Sequence, residues 1–489
     1  MHQTKLIDLL KSFSDKEIRQ FEDFVASPFF NKNQDLLKLL RHLKKYYPEF
    51  THNQVDKSII FKKLFGKAVY NDQKMRTRGS QLYRLGIQFL EQLGMSNSYM
   101  SGELFGLEEL INRKQDRLIS YHFKQIQKKF ENPNAKNELY FLHLSTFYEW
   151  QKNYYLEALS GAEFKHFKEK EEQAYSQTLT SYYLLKLLRQ YALWLNLNNI
   201  YQLDMDLQFY EEVIELLMPL LNHEEPIILM TYTLAQMLRT REEKHYHTLK
   251  KLVTQFEEQL TKNQLEDFYI NLENYCLKEG RRTGDVRFTE ELFQLYQFEL
   301  ERKIPIQNGE IPRTWFSNFA TIGTHLKHTD VAEQFIQQYQ KYLPETVRTN
   351  TANFCMSYIR FYQSRFQEAL QYLMWVNYDG FYDKIDYRNM LVCIYYELDE
   401  TEALYAQIDA YKHFLNNNKH IMAEDRLLIF SNFIRFVSRL LKLKESVGDY
   451  KDPHLLEDLK NCKQITFGNW LREKANRLQE NKKQSAFRE

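Results

Sequence analysis

Apolar residues along this chain recur at intervals of three and four and almost nowhere alternate, a pattern that predicts helices from end to end. The first clear start is Ser14-Asp15-Lys16-Glu17, a capping box in which the serine hydroxyl accepts from the amide three residues on and the glutamate reaches back. Ile18, Phe21, Phe24 and Val25 share the apolar side of that helix, and Ser27-Pro28 stops it because a residue before proline avoids helical angles. A second helix is expected from Gln34 to Tyr47, with Leu36, Leu40, Leu43 and Tyr47 on one face and Lys38, Arg41 and Lys45 opposite. After a short helix from Asp56 to Phe65 and a turn at Gly66, a longer one capped by Asn71 runs to about Leu93. Along it Met75, Gly79, Leu82, Gly86, Phe89 and Leu93 alternate intervals of four and three. Two members of that stripe have no side chain, so another backbone should lie close against it.

Met95 to Gly102, polar and glycine-flanked, predicts a boundary between a head (residues 1–96) and an array of helical hairpins (residues 103–478). Helices are expected from Glu103 to Phe130, Lys136 to Asn153, Tyr155 to Ala174, Tyr175 to Leu197, Ile200 to Leu221, Pro226 to Arg239 and Glu242 to Leu260. A further pair lies between Asp267 and Arg302. Turns as short as Asn153-Tyr154 make neighbours antiparallel. Residues 421–478, with helices from Met422 to Val447 and His454 to Leu478, read as a cap, and residues 479–489 as a frayed polar tail.

Residues 311–416 hold three hairpins with similar punctuation. Their second helices open Asp330-Val331-Ala332-Glu333, Phe366-Gln367-Glu368-Ala369-Leu370 and Glu400-Thr401-Glu402-Ala403-Leu404, so the alanines stand 37 and then 34 residues apart. With Ala332 as the small residue of the second helix, Phe316, Phe319 and Ala320 take the large, apolar and small places of the first, and Pro344 takes the closing one. With Ala369, Ser357 and Phe366 take the small and aromatic places without a closing proline; with Ala403 only the length and the Glu-Ala-Leu start remain. The stretch, roughly a fifth of the chain, resembles tetratricopeptide repeats. That resemblance implies an all-α fold of antiparallel hairpins stacked as an α-solenoid, with a small N-terminal helical domain in front. It also implies that first helices line a concave face. The inward positions are then Phe354, Tyr358, Phe361 and Tyr362 in the second hairpin and Arg388, Tyr395 and Tyr396 in the third, a groove of rings with a single cation, suited to a peptide carrying apolar and acidic groups. The first hairpin offers Thr314, Ser317, Thr321, Thr324 and His325, a polar end to that groove.

Composition agrees with helices: among 489 residues only 14 are glycine and 9 proline. With 66 basic and 65 acidic residues, the whole molecule has no electrostatic commitment to nucleic acid or membrane. Locally this changes. Between Lys32 and Leu90 stand 13 Lys and Arg against 4 Asp and Glu, and a short helix, a turn and a basic helix with Lys74, Arg78 and Arg84 have the order of a helix-turn-helix. The plainer reading is a solvated basic face docked on the acidic remainder, since no wing follows and no aromatic residues interleave with the cations. Phe24 to Asn31 and Phe61 to Asn71 mark a further resemblance, to the start of a group of uncharacterised bacterial helical proteins, which implies no activity. Cys276, Cys355, Cys393 and Cys462 are far apart, without a C-x-x-C pair, and read as small core residues of a reducing cytoplasm. No signal peptide is expected, and no apolar run approaches the roughly 20 residues that span a bilayer.

Neither a nucleophile elbow, a P-loop, a dinucleotide glycine fingerprint nor an H-E-x-x-H helix occurs. Glu163-Phe164-Lys165-His166 and Glu242-Glu243-Lys244-His245 have the Glu-x-x-His spacing of carboxylate-bridged metal sites, but no preceding helix supplies an inward glutamate. They read as partly buried, hydrogen-bonded polar residues, and His325 and His328, which share a face without a third ligand, read as surface residues. Most of the 34 tyrosines are expected to fill space between helices, with interface use for a minority. The sequence therefore points to a cytoplasmic, non-enzymatic scaffold or adaptor without cofactors that binds a protein or peptide. The alternative is a transcription regulator whose head binds DNA, and a metal-binding enzyme comes third.

Overall fold

The protein is described by a computed structural model that covers residues 1–489 except 99, 132, 134, 159–160, 202, 204, 221–224, 378–379, 423, 447–451 and 487–489; the side chains of 158, 161–171, 200–201, 220, 281, 382, 425 and 481–486 also lie outside the description. Helix accounts for 79% of it and no strand occurs among the described residues, so the all-α expectation holds. Among the described residues no helix is long and apolar enough to cross a membrane. The chain forms two compact units, Met1–Thr261 and Lys262–Glu489.

In the first unit α1 (Lys5–Lys11), α2 (Asp15–Ala26), α3 (Gln34–Lys44), α4 (Lys57–Phe65) and α5 (Asp72–Asn97) surround one apolar cluster. The capping box at α2 forms: the Glu17 amide donates to Ser14 Oγ and the Ser14 amide to Glu17 Oε2 at 2.7 Å. After Pro28 the buried Asn31 side chain donates to the carbonyls of Val25 and Asn33, fixing the turn into α3. The glycine stripe of α5 faces α1, as its missing side chains require. A Cβ on Gly86 would stand 2.6 Å from Leu9 Cδ2, and one on Gly79 3.2 Å from Met1 Cε. The space is therefore filled by side chains from the start of the chain and not by a backbone.

Six-residue spacings without glycine or proline mislead the reading of the next stretch. The expected boundary falls at a tight turn, with Met100 at φ 62°, between α5 and α6 (Ser101–Asn112). The single helix expected there breaks at Lys114 (φ 52°) before α7 (Asp116–Glu131). In contrast α8 (Glu138–Ala158) runs through Asn153-Tyr154, where Tyr154 packs against the Phe123 ring and donates its hydroxyl to Asp116 at 2.9 Å. The two helices expected over residues 155–197 are mostly one, α9 (Gly161–Tyr201), followed by α10 (Gln208–Leu217), α11 (Pro226–Thr240) with proline in its first turn, and α12 (Glu243–Gln255).

The second unit contains α13 (Lys262–Thr283), α14 (Val286–Glu301), α15 (Arg313–His325), α16 (Thr329–Tyr339), α17 (Glu345–Tyr362), α18 (Phe366–Met374), α19 (Phe381–Glu397), α20 (Thr401–Asn417), α21 (Glu424–Glu445), α22 (Leu455–Asn461) and α23 (Gly468–Ala486). Three hairpins, α15–α16, α17–α18 and α19–α20, turn in the same way. Lys327, Ser364 and Asp399 each take a left-handed conformation, and the next amide donates five residues back, His328 to Gly323, Arg365 to Arg360 and Glu400 to Tyr395. Ala332 and Ala369 are fully buried where the second helix meets the first, while Ala403 is only partly so. First helices are neighbours, α15 beside α17 and α17 beside α19. The helix expected from His454 to Leu478 is interrupted before α23, with Phe467 at φ 52°, and α23 continues to Ala486 through the tail expected to fray.

Candidate functional site

Thr314, Ser317, Thr321 and His325 recur at helical spacing on one face of α15, and all four reach solvent. Thr324 does not: it is buried, and its hydroxyl donates to the Ala320 carbonyl at 2.7 Å. Across from this face, α17 brings the Tyr358 hydroxyl 2.6 Å from His325 Nε2 and 3.4 Å from the Tyr362 hydroxyl. The His325 and Tyr362 rings lie 5.0 Å apart, edge to face. From α19, Asp383 holds the Arg313 guanidinium of α15, with Nη1 to Oδ2 at 2.8 Å, and Asp386 follows one turn later. His325, Tyr362 and Asp386 all keep access to water, Tyr362 at 36% of its surface. Protein nevertheless encloses each of them. Desolvation lowers the His325 imidazole, pushes Tyr362 up to about 12 and pushes the Asp386 carboxyl up to about 6, where Asp383 adds repulsion.

The seven ring and cation positions expected on this face separate. Tyr362 is on it. Tyr358, Phe361 and Tyr396 are core residues at 8%, 4% and 4% exposure, and Phe354 and Tyr395 pack half-buried against the same core. Arg388 points elsewhere, with its guanidinium 5.0 Å from the Phe414 ring of α20. On α19, Cys393 is buried in the core that Tyr358 and Phe361 share, and Asp386 is exposed. α19 buries Ile385, Met390, Leu391, Val392, Cys393, Ile394 and Tyr396, apolar on almost every side, so spacing alone could not choose its inward face.

What covers the rest of the expected groove comes from the end of the chain. The Phe467 ring lies against Tyr358 and Phe361, and Trp470 of α23 lies against Phe361 and Tyr396. A polar clasp fastens this segment: Trp470 Nε1 donates to Glu397 Oε1 at 2.6 Å, and Lys474 Nζ meets the same oxygen at 2.5 Å, both charges nearly buried. The groove of rings is thus largely filled by the protein itself.

A second polar cluster was not anticipated. Glu273 of α13 and Glu299 of α14 are both buried, with Tyr296 buried one turn before Glu299 and the Trp315 indole donating to Glu299 at 3.3 Å. Burial raises both carboxyls, and the repulsion between them raises Glu299 further. A signal was present: Tyr269, Glu273 and Cys276, and Leu292, Tyr296 and Glu299, each follow an i, i+4, i+7 apolar stripe into which a glutamate intrudes.

In the head, Arg78 is tied to Asp35 at 3.2 Å and Lys74 lies 3.7 Å over the Phe65 ring, whereas Arg84 is exposed without an ion pair among the described residues. Of the Glu-x-x-His pairs, Glu163 and His166 have side chains outside the described residues. Glu242 caps α12 and pairs with Lys244 at 2.5 Å, while His245 is lowered by burial. No group of three or more His, Cys, Asp and Glu able to hold a metal occurs among the described residues. Cys276, Cys355 and Cys393 are buried free thiols and Cys462 is partly exposed. No protein-family model, curated protein or solved structure matches the chain.

Proposed function

We propose that this protein is a non-enzymatic scaffold or adaptor, a tetratricopeptide-like helical array that takes up a segment of another protein along α15, α17 and α19. The observation that carries this reading is that His325, Tyr362 and Asp386 reach water on the neighbouring first helices α15, α17 and α19, with Thr314, Ser317 and Thr321 along α15. An imidazole beside a phenol at the end of α15 and α17, with a carboxyl near the start of α19, suits a peptide that offers hydrogen bonds and a cation, a more polar ligand than a continuous groove of rings would take. Buried free thiols support residence in a reducing cytoplasm. The test is quantitative affinity purification of the full chain from its native cell against the Tyr362→Ala/Asp386→Ala double variant. Specific loss of a co-purifying protein at a melting temperature within a few degrees of wild type supports the reading. An unchanged set of co-purifying proteins overturns it.

A second reading, contact of the head with duplex DNA, rests on its unneutralised cations Lys32, Lys38, Lys45, Lys67 and Arg84, which are exposed and form no ion pair among the described residues. We expect binding no tighter than about micromolar at physiological salt, the range of sequence-independent contact. A tight, sequence-selective complex whose salt slope flattens on Lys74→Ala, Arg78→Ala and Arg84→Ala substitution would place the regulator reading first.

A further inference from the structure

Where α20 and α21 run side by side they leave an open trough of about 490 Å3. Its floor is Leu415, Leu427 and Ile434, with the short side chains of Asn416, Ser431 and Ser438 between them. None of its lining residues is acidic and none is aromatic. Its cations are of two kinds. Arg439 is already neutralised, bound by both oxygens of Asp452 at 2.7 Å and by Asp458 at 2.7 Å. Lys412, Lys419, Arg435 and Lys442 are exposed and form no ion pair among the described residues. Four unmatched positive charges therefore rim an apolar floor in a molecule that is close to neutral overall.

The spacing of those charges selects the ligand. Lys412 and Lys419 stand seven residues apart on one wall, and Arg435 and Lys442 seven apart on the other, which is two helical turns or about 10 Å. That distance is too great for one phosphate or carboxylate to reach both members of a same-wall pair, so a compact anion meets at most one cation from each wall and leaves the other two unmatched. Single-stranded nucleic acid would need rings for its bases, and the trough has none. Along α21 the lining residues Leu427, Ser431, Ile434 and Ser438 follow intervals of four, three and four, the rhythm of a helix seam that receives another helix. From Leu427 to Lys442 the trough is about 22 Å long, the length of four turns.

We propose that this trough docks an acidic amphipathic helix of a protein partner, its apolar stripe on the floor and a carboxylate every second turn beside Lys412, Lys419, Arg435 and Lys442. The surface shares no residue with the His325–Tyr362 strip, so either can fail alone. The same geometry sets the orientation rule: a helix with glutamates flanking its apolar stripe on both sides satisfies both walls, and one with glutamates on a single side satisfies only one.

Fluorescence anisotropy on the full chain tests this with a labelled synthetic helix of about three heptads that carries Leu and Ala at its a and d positions and Glu at e and g. Saturable binding is expected, weakening as salt rises from about 50 to 300 mM. Lys412→Glu/Lys419→Glu and Arg435→Glu/Lys442→Glu should each weaken it at least about tenfold, and a peptide with Lys in place of Glu should bind at least as poorly. If charge reversal disturbs folding, Lys412→Gln/Lys419→Gln should show the same ordering with a smaller change. The inference is overturned if no saturation is reached by about 1 mM. It is overturned equally if the reversals leave affinity unchanged, if polyglutamate of equal charge binds as tightly, or if sedimentation shows a dimer of the chain that Arg435→Glu/Lys442→Glu abolishes.

Discussion

Phe361 and Tyr362 are adjacent on α17, yet Phe361 is packed under Phe467 and Trp470 while Tyr362 stands at the edge of open water beside His325. The same contrast separates the two ends of the face formed by α15, α17 and α19. At one end a segment from the end of the chain lies across the rings and converts them into core; at the other Tyr362 and His325 keep part of their surface in water. Whether a ring is a contact surface or a structural element is therefore decided by a stretch more than a hundred residues away, which no local spacing can reveal.

Removing the clasp is the strongest way to break this contrast. Glu397→Ala leaves the Lys474 ammonium buried without its carboxylate and the Trp470 indole without an acceptor, and should cost about 3–5 kcal/mol in urea unfolding of the second unit. If the cost is below about 1 kcal/mol, the segment is not held there.

The buried carboxyls sharpen the contrast through pH. Glu273 and Glu299 have folded pKa values above their unfolded ones, so their contribution is fully present below about 4.3 and is lost as the pH rises through the raised values. The melting temperature should fall from about pH 5 to about pH 9, by about 2–4 °C for each kcal/mol lost. Glu299→Gln, which cannot ionise, should flatten that fall. An identical slope in the variant would show that Glu299 does not carry the effect.

At the open end the effect is smaller and opposite in sign for His325. Its folded pKa is depressed, so its contribution is present above about 6.5 and is lost as the pH falls through the folded value. Asp386, pushed up to about 6, acts in the other sense, losing its contribution as the pH rises. The His325 effect is accordingly read as the difference between wild type and His325→Gln, about 1 °C or less for a group with this much solvent access. A larger loss would mean that His325 is as enclosed as Tyr358.

Several features were readable from residue types alone because a single physical requirement acts locally. Gly79 and Gly86 announce a close approach, Ala332 and Ala369 a hairpin crossing, and Thr314, Ser317, Thr321 and His325 a polar helix face. Others were hidden for equally definite reasons. The three hairpin turns place Lys, Ser and Asp at positive φ, where glycine would have marked them. α19 is apolar around its circumference, so Arg388 and Tyr395 looked inward, whereas Arg388 lies over the Phe414 ring and Tyr395 packs half-buried against the core. The break before α23 carries no proline, and only the left-handed Phe467 betrays it. Glu273 and Glu299 showed themselves only as polar intrusions on apolar stripes, whose pairing depends on how α13 meets α14.

Urea unfolding of Phe361→Ala and Tyr362→Ala, side by side in the full chain, tells whether the face is divided between a covered and an open end. Loss of a buried ring predicts about 3–5 kcal/mol for Phe361→Ala. Loss of a ring at the water's edge predicts less than about 1 kcal/mol for Tyr362→Ala. Equal losses, or a larger loss at Tyr362, would contradict the division.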